Sequence, residues 1–230
     1  MSDWVPPIRR TAWEPCVRIV PSRYPPIDLF ERVADPADFE SVFAIEALTN
    51  ARLREEVGEL SLVPARDRVS GPGASWVMAT FTHVAPPGGR FSTGNFGAYY
   101  CARTLETAVA ETRYHREAFL RATQQGALEL SMRVIHATLD ADLHDLRGLA
   151  LQHPEFYSPT EYAASQALAG RLRVAGAWGI AWDSVRQPGG ECAAVLRPPA
   201  LASPRQAQHL TYLWDGERIT HVYQKTLLGM

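Results

Sequence analysis

Lysine is nearly missing from this chain. Lys225 is the only one among 23 basic residues, and all the others are arginine. Arginine is the side chain suited to two-pronged contact with phosphate, although a biased codon usage gives the same count. A basic surplus is missing too, because 23 Lys and Arg stand against 25 Asp and Glu for a formal net charge of -2. With no run of like charge, the chain offers no field for a nucleic-acid backbone, and a polyanion-binding role is disfavoured. Cysteine is scarce: Cys16, Cys101 and Cys192 are odd in number, far apart and not spaced as metal ligands. Reduced thiols, no metal and a cytoplasmic location are therefore expected. No apolar run reaches membrane-spanning length, and "MSDWVPPIRR" lacks a basic region leading into an apolar stretch, so neither a span nor a secretion signal is expected.

What is present suffices for one sizeable core: 230 residues, 46% of them hydrophobic and 10% aromatic. Pro6, Pro7, Pro15, Pro21, Pro25 and Pro26 predict that the first thirty residues run extended over the surface. Asp35-Pro36 reads as an N-cap followed by proline at the first helical position, and Phe39, Val42, Phe43, Leu53 and Val57 predict a helix ending at Gly58. Residues 1–74 are thus expected to form an extension, an extended segment plus a helix, packed on a core of residues 75–230 within one compact domain. "SWVMATFTHV" and "AYYCA" alternate like strands. Thr104 caps a helix to about Ala122, with Leu105, Ala108, Val109, Phe119 and Leu120 on its apolar stripe. "ALELSMRVI" alternates again, and Ser158-Pro159-Thr160-Glu161 reads as a capping box opening a helix to about Arg173. "GIAWDSV", "CAAVLR" and a hairpin turning at Asp215-Gly216 complete an α+β fold with a mixed sheet.

Chemistry concentrates in "GRFSTGNFGAYYCA", residues 89–102. Gly88, Gly89, Gly94 and Gly97 let the backbone approach a ligand, and Arg90 among them can grip a phosphate. The spacing departs from the dinucleotide fingerprint and from the P-loop, so a plain hairpin-like loop fits the same residues. Glu111 falls off the apolar stripe of its helix, on a flank shared with His115, where a solvated carboxylate is the commoner reading. Alternation puts Ile180, Trp182, Ser184 and Arg186 on one strand face, lining either a cleft or water at an edge.

Taken together these segments resemble the RES-domain family, named for an arginine, a glutamate and a serine. "GRFSTGNFGAYYCARTLETAVAETRYH" is similar to its Arg, Gly-x-Tyr-Tyr and Thr-Ala-x-x-Glu segment. "GIAWDSVRQPGGECAAVLRPPAL" is similar to its serine segment and closing strand. The resemblance covers residues 75–201 and leaves the N-terminal region unassigned. It implies an ADP-ribosyltransferase-like fold and the toxin of a toxin–antitoxin pair that consumes NAD. The family arginine falls on Arg90, its tyrosine on Tyr100, its glutamate on Glu111 and its serine on Ser184. Arg186 matches a frequent family arginine, and Gly89 opens the segment. Implied partners are an antitoxin with a helix-turn-helix DNA-binding domain, a protein that accepts ADP-ribose, and assembly as a homodimer or with the antitoxin. Hydrolysis or phosphorolysis of NAD is the alternative outcome, and a non-catalytic partner-binding module is the reading from a different class.

The residue types suit that chemistry. Cleaving the nicotinamide bond leaves an oxocarbenium-like ribose, which needs a nearby negative charge, hydrogen bonds to its hydroxyls and an aromatic wall. Glu111, Ser184 and Tyr100 are the candidates for these, with Arg90 on the pyrophosphate. Since strand side chains alternate, only one of Tyr99 and Tyr100 faces the ligand, and the family pattern favours Tyr100.

Overall fold

The structure, a computed structural model, describes residues 4–22, 30–31, 35, 39, 58–84 and 88–226. Its strands are β1 (Ile8–Pro21), β2 (Tyr99–Ala102), β3 (Leu128–Asp145), β4 (Gly179–Asp183), β5 (Glu191–Val195), β6 (Leu201–Trp214) and β7 (Ile219–Lys225). They form one sheet in the order β1-β2-β5-β4-β3-β6-β7, and β1 also pairs with β3. That second pairing closes β1, β2, β5, β4 and β3 into a ring, with β6 and β7 continuing from β3. The β3–β4 pairing is parallel and the others are antiparallel, so the sheet is mixed and the fold α+β.

The first residues are extended as expected, but inside the sheet rather than over its surface. β1 pairs with β3 from Ile8 opposite His144 to Pro21 opposite Met132, and Trp13, Cys16, Val17 and Ile19 are buried. The prolines do not prevent this. Pro15 sits where the register shifts between Trp13 and Cys16, and Pro21 ends the strand, so neither has to donate to a regular ladder. The helix expected between Asp35 and Gly58 lies outside the described residues.

Three α-helices are described: α1 (Ala74–Thr82), α2 (Leu105–Ala122) and α3 (Ala163–Val174). α1 corrects the strand expected for "SWVMATFTHV". Its buried apolar residues are Ala74, Val77, Met78 and Phe81, a helical spacing that so short a run does not separate from alternation. Thr104 caps α2 as expected, its hydroxyl accepting from the Thr107 amide at 3.3 Å, while Phe119 leaves the apolar stripe and is exposed. Ser158 accepts from the Glu161 amide at 3.0 Å, yet α3 begins later, at Ala163. The Pro159 carbonyl is taken by Tyr114, Tyr162 and Arg186 side chains, and no helical turn closes on it. At the β6–β7 turn, Asp215 accepts from the Glu217 and Arg218 amides, as the sequence suggested.

α1 covers one face of the sheet, with Tyr99, Cys101 and Ala181. α2 and α3 cover the other, with Ala98, Tyr100, Ala102, Ile180 and Trp182. The alternation read from "AYYCA" therefore holds, and it sends Tyr100 and Trp182 to the same side. Among the described residues no helix is long and apolar enough to cross a membrane.

Candidate active site

A cleft of about 430 Å³ opens between β1, β2, the glycine-rich loop and α2. The loop is held by close backbone approach. A Cβ on Gly97 would lie 2.1 Å from the Thr80 carbonyl oxygen of α1, so only glycine lets the two segments touch. At Gly89 a Cβ would lie 2.6 Å from the Tyr100 hydroxyl, so the missing side chain makes room for that ring. The Gly89 amide donates to Ser92 and its carbonyl accepts from Gln166, so the backbone expected to face a ligand is turned inward.

Tyr100 follows from this packing. Its hydroxyl accepts from the Phe91 amide at 2.9 Å and bonds the Ser92 hydroxyl at 3.0 Å, while burial pushes the phenol up to about 12. Its ring meets Trp182 edge-on at 6.3 Å, and Phe91 backs Trp182 at 4.8 Å. Tyr100 and Trp182 thus form an aromatic wall of the cleft.

Arg90 is 7% exposed, which rules out a solvated loop arginine. Its Nη1 donates to the Phe156 carbonyl at 2.8 Å and its guanidinium lies over the Tyr162 ring at 4.7 Å. Burial lowers its proton affinity, with Tyr162 and Glu111 working the other way. Nε and Nη2 make no hydrogen bond among the described residues, so one edge of the fork remains for an anion in the cleft.

Glu111 reaches the cleft from α2. Its Oε1 accepts from the Ser184 hydroxyl at 2.6 Å and from the Cys192 thiol at 3.8 Å, and its Oε2 has no partner among the described residues. Ser184 in turn accepts from the amides of Arg186 at 3.1 Å and Gln187 at 3.0 Å. One donation and two acceptances use its hydroxyl fully. Ser184 therefore aims Glu111 and does not itself line the cleft.

Arg90, Tyr100, Glu111 and Gly89 come together in the cleft wall, while Ser184 and Arg186 do not. β4 ends at Asp183, so the alternation that carries Ile180 and Trp182 stops before reaching them. The Arg186 guanidinium instead lies 3.3 Å from the centre of the Tyr114 ring and donates to the Pro159 carbonyl. Sequence reasoning missed Arg18, which lines the cleft from β1, donates to the Tyr100 carbonyl at 2.9 Å and lies over Tyr99. The signal was the apolar alternation of "VRIV", masked by the prolines around it.

His115, Arg116, His83 and Tyr162 also line the cleft. Arg18, Arg90 and Arg116 stand there against one carboxylate, Glu111, among the described residues. Arginines beside an aromatic wall suit a ligand that carries negative charge and a flat ring. No group of three or more metal-ligating side chains is clustered among the described residues.

Comparison with known proteins shows what the chain is similar to. A family model described as the RES domain matches residues 67–215. A Sinorhizobium fredii (strain NBRC 101917 / NGR234) protein described as uncharacterized protein y4oC is 30% identical over 213 residues, which are 90% of this chain and 85% of that one. The crystal structure of the M. tuberculosis MbcT–MbcA toxin–antitoxin complex is similar at a TM-score of 0.46 with 11% identity, over 91% of this chain and 87% of that one.

Proposed function

The chain belongs to the RES domain family, and from that membership we propose that it consumes NAD by breaking the bond between nicotinamide and ribose. The observation that carries this reading is the Glu111 carboxylate. It is fixed by Ser184 through one oxygen and has no partner at the other among the described residues, in the cleft that also holds Arg90 and Tyr100. NAD supplies a pyrophosphate for Arg90 and Arg18 and a flat ring for the Tyr100–Trp182 wall. As the C1′–N bond lengthens, its electron pair goes to the nicotinamide ring and positive charge builds on the ribose. A carboxylate already held in place stabilises that charge without reorganising.

In a cell, this chemistry fits the toxin of a toxin–antitoxin pair, held in check by an antitoxin that carries the helix-turn-helix domain. The ADP-ribose passes to a protein side chain, making the protein a mono-ADP-ribosyltransferase; with water or phosphate as acceptor the same site hydrolyses or phosphorolyses NAD. The test is mass spectrometry of the purified protein with NAD and cell extract, beside growth of cells expressing the wild type or Glu111→Gln. Nicotinamide release and growth arrest are expected from the wild type alone, with the variant's circular dichroism unchanged. Arrest by a well-folded Glu111→Gln would overturn the mechanism and leave a partner-binding module.

A further inference from the structure

We propose that His115 is the general base of the reaction and that the acceptor it activates is a neutral hydroxyl, supplied by water or by a protein side chain. The inference rests on the NAD-cleaving reading and deepens it by naming the class of acceptor.

His115 stands one helical turn after Glu111 on the same flank of α2, and both line the cleft. Residues four apart on a helix have their Cβ atoms about 5–6 Å from each other. The imidazole therefore lies within reach of an acceptor approaching the ribose beside Glu111. Its ring meets Tyr114 edge-on at 5.3 Å, and neither ring nitrogen is hydrogen-bonded among the described residues. A lone pair is thus uncommitted at the cleft rim.

Desolvation favours the neutral ring, against the pull of Glu111. Although the residue keeps an exposed edge, the protein packed around the ring lowers its proton affinity below the ordinary 6.5; of the charged groups that face it, Glu111 of α2 raises it, and Arg186, Arg116 of α2 and Arg90 lower it. A neutral imidazole with an uncommitted ring nitrogen is able to accept a proton, and Glu111 one turn away stabilises the imidazolium once it forms.

The step balances. The C1′–N bond breaks with its electron pair on nicotinamide, the acceptor oxygen bonds C1′, its proton passes to His115, and His115 returns it to solvent. A phosphate or carboxylate acceptor arrives as an anion and needs no base. A base held neutral beside Glu111 therefore points to an acceptor that must lose a proton.

The experiment follows nicotinamide release and products for wild type, His115→Gln, His115→Ala and Glu111→Gln across roughly pH 5 to 9, with and without cell extract, together with NAD affinity. Wild-type rate is expected to rise with pH to a plateau. Both His115 variants should lose about 10²- to 10⁴-fold in rate and lose the rising limb, with NAD affinity retained and imidazole partly restoring His115→Ala. Free ADP-ribose identifies water as the source of the hydroxyl, and an ether-linked ADP-ribosyl serine, threonine or tyrosine identifies a protein. Unchanged rate and pH limb in both His115 variants overturn the proposal while NAD cleavage stands. So does ADP-ribose-1″-phosphate or ADP-ribosyl arginine as the product. No nicotinamide release by the wild type overturns the NAD reading and this proposal together.

Discussion

Ser184 donates its hydroxyl proton to Oε1 of Glu111 over 2.6 Å, although 73 residues separate the two. The serine is anchored by two amides behind it, so it acts on the cleft only through the carboxylate. Ser184→Ala is expected to lower kcat for NAD cleavage by roughly 10- to 150-fold, the loss of one hydrogen bond to a charged group of about 1.5–3 kcal/mol, with KM little changed. A serine that held the ribose directly would instead raise KM, and steady-state kinetics separate the two.

Arg90→Lys keeps a positive charge but loses the planar fork and its stacking on Tyr162. NAD affinity is expected to weaken by about 1–3 kcal/mol, read by calorimetric titration. Equal affinity in both proteins would mean that the free edge of Arg90 does not meet the ligand.

The two adjacent tyrosines are expected to fail in different ways. Tyr99 is fully buried beside α1, and Tyr99→Ala should cost about 3–5 kcal/mol, seen as a lower melting temperature. Tyr100→Phe keeps the aromatic wall but leaves the Phe91 amide and the Ser92 hydroxyl without their partner. It should loosen the Arg90 loop by about 1–3 kcal/mol and weaken NAD binding. Loss of binding in Tyr99→Ala with Tyr100→Phe unaffected would show the strand slipped by one residue.

Away from the cleft, Glu191 pairs with Arg147 and Arg103. Burial works against its charge, but the two arginines outweigh it and its pKa is lowered. A carboxylate whose folded pKa lies below its unfolded value adds stability that is present above the unfolded value, about 4.3, and is lost as pH falls through the folded one. Glu191→Gln should therefore lower the urea midpoint at pH 7 and approach wild type as the pH falls below 4. A difference that stays constant across that range would assign the effect to packing instead.

The sequence carried most of the strand and helix positions and the inward face of "AYYCA", because alternation and capping are local signals. It did not carry the place of β1, whose partners lie beyond residue 100 in the chain and whose prolines mimic a surface segment. Nor could it separate helix from strand for the nine residues of α1, a run too short for its period to decide. Arg90, Tyr100 and Glu111, which line one cleft, were legible because their segments resemble those of the RES-domain family. The reach of Ser184 was not, because its face was extrapolated past the end of β4 at Asp183. Arg18 was hidden with its strand.

The ring closed by β1 also sets when the cleft can exist during synthesis. Val17, Arg18 and Ile19 leave the ribosome before their partners, since β1 closes on β3 and β2, and β2 is held in turn by β5 at residues 191–195. At about 5–20 residues per second, the first wall of the cleft waits roughly ten to forty seconds for the last strand of the ring. On the proposed NAD-cleaving reading, ribosome-bound chains arrested before residue 191 are expected to release no nicotinamide, whereas chains extended past β5 and folded are expected to release it. Translation itself thus opens an interval in which anything that binds β1 meets the chain before the cleft is complete.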